Sequence, residues 1–140
     1  MRQDFKALAE VATSDYKDAG FCTVAALALT LDWSFGKAHR WMAKHAARRN
    51  RTGVYPYLWE GAIKKAAESV GKRFSASGRH YLPDGRAMTL TRFCKENPTG
   101  TYYVRVNKHA LAIVNGVMHD WTAETAGRRK IQASFKLTEV

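Results

Sequence analysis

The chain of 140 residues has only two cysteines, three prolines and 12 acidic residues, and each shortage excludes something. Cys22 and Cys94 are too few for a disulfide framework, and a reducing compartment would keep them as thiols. There is no Cys-x-x-Cys pair, and His39, His45, His80, His109 and His119 lack the spacing of metal ligands. Neither a metal nor a cofactor is expected. No apolar run approaches the roughly 20 residues needed to span a bilayer. The opening segment, MRQDFKALAEVATSDYKD, lacks the apolar centre of a signal peptide, which predicts a cytoplasmic protein with no membrane partner. Acid is the scarcest commodity: 12 Asp and Glu stand against 23 Lys and Arg, a formal net charge of +11. That excess favours an anionic partner, either an acidic protein or peptide or a nucleic acid.

What is present suffices for one globular domain over residues 1–140, since apolar residues make up 46% and aromatic residues 11%. Phe5, Leu8, Ala9 and Ala12 recur at helical spacing and predict a short helix over 2–12, broken by the polar stretch from Thr13 to Gly20. Residues 21–31, FCTVAALALTL, are apolar almost all round, the mark of a buried central helix. Ser34 is placed to cap a helix over 35–50 with Phe35, Ala38, Trp41, Met42 and Ala46 as its core stripe. A further helix over 57–70 ends at Gly71, and a loop-rich region follows. A short helix is expected around 89–96. The last third has the β-branched and aromatic content of strands at 100–106, 109–114, 117–121 and 130–137. Asn115-Gly116 between two apolar runs signals a two-residue hairpin. Helices first and an antiparallel sheet second make an α+β fold. Trp33, Trp41, Trp59 and Trp121 are expected to pack in its core.

Two short blocks carry chemistry. Cys22 opens the most hydrophobic helix, where the helix dipole favours a thiolate and backbone N–H groups can hold an oxyanion. His109 opens a strand. With Asn115-Gly116 as the turn, Val114 pairs with Val117, Ile113 with Met118 and Leu111 with Asp120. His109 and Asp120 then fall on one face as diagonal neighbours, the relation in which an acid orients an imidazole. Thiol, base and orienter are the set that nucleophilic cysteine catalysis requires. His119 falls on the opposite face, and the turn already accounts for Asn115.

The segment from Asp18 to Leu29, DAGFCTVAALAL, resembles the nucleophile helix of papain-like cysteine peptidases, especially compact bacterial and phage-encoded ones similar to the bacteriocin-processing peptidases. The segment from Gly100 to Trp121 resembles their strand, histidine, hairpin and acid block, and the order cysteine, histidine, acid also matches. The resemblance implies a papain-like fold, with N-terminal helices and the nucleophile helix packed on a C-terminal antiparallel sheet. It implies Cys22 as nucleophile, His109 as general base and Asp120 as orienter, acting on an amide, isopeptide or related acyl bond of a protein or peptide. One position departs from the pattern. Where the family places an oxyanion glutamine, about six residues before the nucleophile, this chain has Tyr16, and it has no glutamine between Gln3 and Gln132. The Tyr16 hydroxyl and the backbone N–H groups near Cys22 are the candidates for that task.

A second reading is a basic binding module without catalysis. Lys37, Arg40, Lys44, Arg48, Arg49 and Arg51 stand in a stretch with no acid, and Arg128, Arg129 and Lys130 form a second cluster. Tyr55, Tyr57 and Trp59 supply aromatic groups between them. Cations interleaved with aromatics suit phosphate backbones and bases, although no known nucleic-acid-binding motif is legible.

Overall fold

The computed structural model describes residues 5–16, 21–48, 56–76, 81–107, 109–119 and 129–140. Among the described residues, five helices and five strands follow one another as α1 (Phe5–Ser14), α2 (Cys22–Leu31), α3 (Phe35–His45), α4 (Pro56–Ser69), β1 (Lys72–Ala76), α5 (Leu90–Glu96), β2 (Thr101–Val106), β3 (His109–Val114), β4 (Val117–His119) and β5 (Ile131–Glu139). The strands form one antiparallel sheet in the order β1-β5-β2-β3-β4. The fold is α+β, as the order of helical and strand patterns predicts.

Alternation along the strands divides the core in two. Tyr103, Ala110, Ala112 and Phe135 join the cluster built by α1 to α4 on one side of the sheet. Val104, Val106, Leu111, Ile113 and Ile131 join Met88, Leu90 and Phe93 on the other, where α5 packs. The α2 helix is buried from Val24 to Leu31 and lies on β3 and β2, with α1 and α3 against its other sides. An apolar surface all round is what such a central position requires.

Local chemistry sets the boundaries. The Ser34 hydroxyl accepts from the Lys37 N–H at 3.2 Å and starts α3, and Gly71, at φ +73°, follows the end of α4. Asn115 and Gly116 both adopt positive φ, +50° and +76°, as the two-residue hairpin demands. Three expectations need correction. Helix α1 runs on through Thr13 and Ser14, because the Thr13 hydroxyl bonds back to the Ala9 carbonyl at 2.9 Å and so spares the helix a competing turn. Helix α3 stops at His45 instead of 50: Ala47 turns to φ +51° and the Arg48 N–H returns to the Met42 carbonyl. The region after Gly71 begins with β1, an edge strand paired with β5, in place of a loop.

Among the described residues no helix is long and apolar enough to cross a membrane. Trp33 and Trp59 are core residues and Trp41 is half-buried, its indole N–H donating to the Ala62 carbonyl at 2.9 Å. Trp121 lies outside the described residues.

Candidate active site

Cys22 is the first residue of α2, and His109 the first of β3. By alternation His109 belongs with Leu111 and Ile113, whereas α2 lies on the side of Ala110 and Ala112. The two functional groups nevertheless meet at the start of β3, beyond the last described β4 pair, Ala112 with His119. There the His109 side chain and the Cys22 sulfur are hydrogen-bonded, and the Ala110 and Thr23 N–H groups donate to the same sulfur.

Burial is the largest single influence on the thiol and pushes it up. The His109 hydrogen bond, the Ala110 N–H, the imidazole's charge and the Thr23 N–H together outweigh burial and hold Cys22 below its ordinary value of 9.0. Cys94 on α5 gives the contrast: burial alone acts there, and pushes its thiol up. Both cysteines are free. The N-cap of α2, Phe21, offers no side-chain acceptor, so no cap side chain consumes the first N–H groups of the helix. A nucleophile with a polarised thiol and N–H groups beside it can add to a carbonyl carbon and hold the resulting oxyanion.

The register of the hairpin in its described part, Val114 with Val117 and Ile113 with Met118, is the one the sequence predicts. Asp120 itself lies outside the described residues. Tyr16 packs its ring against Phe35 and His39, at centroid distances of 5.0 and 4.9 Å. Its hydroxyl would lie 2.5 Å from a Cβ on Gly36, so a glycine in α3 is what lets the phenol approach that helix. These contacts hold the hydroxyl in the seam between α1 and α3.

The sequence gives no sign of two further participants, the Ala110 N–H and the Tyr103 hydroxyl. A backbone donor has no residue-type signal. Tyr103 reads as one more aromatic strand residue, yet it is fully buried and donates to the Thr23 carbonyl at 3.0 Å. The Trp59 indole N–H lies close to that phenol, short of a well-formed hydrogen bond.

The basic candidates separate. Lys37, Arg40 and Lys44 are exposed along one face of α3, with no acidic partner among the described residues, and the Lys37 ammonium sits 4.3 Å from the centre of the Trp33 ring. Arg48 is a correction: it is 5% exposed and belongs to the interior, because the turn at Ala47 carries it inward. Trp59, an aromatic of the binding reading, is buried at 5% exposure and serves the core. Arg129 and Lys130 are exposed, with the Lys130 ammonium donating to the Ala87 carbonyl at 3.4 Å. Arg49, Arg51, Arg128 and Tyr55 lie outside the described residues, as does the side chain of Tyr57. Among the described residues no group of His, Cys, Asp and Glu side chains could hold a metal ion.

No family model matches the chain, and neither a curated protein nor a solved structure matches it significantly.

Proposed function

We propose that the chain is a cysteine-dependent hydrolase of papain-like fold, a peptidase or isopeptidase-type acyl hydrolase acting on a protein or peptide. Cys22 is the nucleophile, His109 the general base and Asp120 the acid that orients the imidazole. One observation carries the reading: a thiol at the start of a buried helix, hydrogen-bonded to an imidazole at the start of a strand and held below its ordinary range.

In this mechanism the Cys22 thiolate attacks the substrate carbonyl carbon, a C–S bond forms, and the carbonyl electron pair moves onto oxygen. The N–H groups of the first turn of α2 hold that oxyanion, since the Tyr16 ring is packed against Phe35 and His39 of α3. Collapse of the adduct breaks the C–N bond, and the imidazolium gives its proton to the leaving amine. His109 then takes a proton from water, whose oxygen attacks the thioester and releases the acid and the free thiol.

A peptidyl vinyl sulfone tests this reading, because it forms a stable thioether only with an activated thiol. The expected product is one adduct, on Cys22, with Cys94 unlabelled by mass spectrometry. Labelling of Cys22 no faster than Cys94 would exclude the mechanism.

A second reading, the basic module without catalysis, draws on the exposed face of Lys37, Arg40 and Lys44. It fits an acidic protein or a nucleic acid, and it is compatible with the first reading. Reversing all three charges to Glu is expected to weaken binding to polyglutamate or to a DNA duplex, in a salt-dependent way, and to leave Cys22 labelling intact. Binding of both polymers that is unchanged by the reversal removes this role.

A further inference from the structure

We infer that Tyr103 is a positioning residue for Cys22: its buried hydroxyl tethers the first turn of the nucleophile helix to the sheet and so fixes where the sulfur lies. The inference rests on the catalytic reading of Cys22. Three observations lead to it. The first turn of α2 has no side-chain cap, since Phe21 occupies the N-cap and makes no such hydrogen bond. The Thr23 hydroxyl, next to the nucleophile, is buried without a hydrogen-bond partner among the described residues, so it does not anchor the turn either. The Tyr103 phenol, by contrast, reaches the Thr23 carbonyl across 80 residues of sequence, at 3.0 Å.

The geometry of the anchor is stiff. Tyr103 is fully buried on β2 and wedged against Trp59 and Phe74, at centroid distances of 5.4 and 6.1 Å. It pairs with Ala112 of β3, three residues from His109 on the neighbouring strand. One side chain thus ties the helix that carries the thiol to the sheet that carries the imidazole and the Ala110 N–H. A sulfur displaced from those donors would feel burial with less to oppose it. Burial also keeps the phenol protonated, pushing it far above its ordinary range, with the nearby Cys22 charge acting in the same direction. The tether therefore remains a donor, and adds no second negative charge beside the thiolate, across the working range of a thiol enzyme.

The test is Tyr103→Phe, which removes one oxygen, followed by the pH dependence of Cys22 alkylation with iodoacetamide. The expected result is a profile displaced to higher pH, with the rate at pH 6 reduced about 3- to 10-fold, the equivalent of one lost hydrogen bond. Ile131→Val, a core change on the far side of the sheet, is the control for general loosening: it should lower the melting temperature and leave the profile in place. If Tyr103→Phe lowers the melting temperature and leaves the profile unmoved, Tyr103 only packs, and the inference is overturned. Should the variant not fold, 3-fluorotyrosine at position 103 replaces it. As a stronger donor of nearly the same shape it should move the profile to lower pH, and an unmoved profile again overturns the inference. A wild-type Cys22 that titrates like Cys94 marks a different failure, that of the catalytic reading itself.

Discussion

Replacing His109 by alanine is expected to give the largest functional loss, removing turnover by about 10²–10⁴-fold, the contribution of a positioned general base. The same substitution should abolish the reactivity of Cys22 at mildly acid pH. The sign follows from the balance at the sulfur. Burial raises the thiol more than any single contribution lowers it, and two of the four lowering contributions, the hydrogen bond and the charge, come from His109. Without them only the Ala110 and Thr23 N–H groups oppose burial, and the thiol moves up. Alkylation followed by mass spectrometry across pH reads this directly, with Cys94 as the internal reference. Stability should report the same linkage. A thiol held low in the native state is bound by fewer protons there than in the unfolded chain. The thiol's own contribution to stability should therefore be complete above 9.0 and be lost as pH falls through the lowered value. In His109→Ala that contribution should shrink. A Cys22 profile indifferent to His109 would remove the thiol–imidazole pair.

The largest loss of stability is expected from Leu27→Ala, at about 2–5 kcal/mol. Leu27 is fully buried in the middle of α2, a helix whose every side from Val24 onward is covered. Removing its isopropyl group leaves a cavity between α2 and its neighbours, which can collapse only if the helix moves on the sheet. Val11→Ala on the exposed side of α1 is the comparison: Val11 is 37% exposed, and its loss should stay within about 0.5 kcal/mol. Urea unfolding with a constant slope distinguishes the two. Equal midpoints for both variants would mean that α2 is not the packed centre described.

Much of the architecture is legible without coordinates because the relevant signals are local. A long, alanine-rich apolar run with no polar face favours a covered helix over a buried strand, and α2 is one. A serine before a periodic stretch caps it, as Ser34 does. Asn-Gly forces the turn that fixes the β3–β4 register in its described part. Where local signals are weak the reading fails. Lys72–Ala76 buries only Phe74 and carries Lys, Arg and Ser besides, so nothing in it announces a strand until β5 supplies the hydrogen bonds. Arg48 looks like one more cation of a basic face, and a single positive φ at Ala47 sends it inward.

The candidate site divides in the same way. The residue types and their order, with Cys22 at a helix start and His109 at a strand start, are properties of the chain itself, because each depends on its own few neighbours. That the two side chains bond, that the Ala110 N–H joins them, and that burial is outweighed at the sulfur depend on how α2 lies across β3. So does the tether from Tyr103 to Thr23, whose partners are 80 residues apart. The sequence by itself determined which groups are available and which element carries each. Only the tertiary structure decided their distances and their shared solvent, because hydrogen bonding and desolvation act over a few ångströms of space, whatever the separation along the chain.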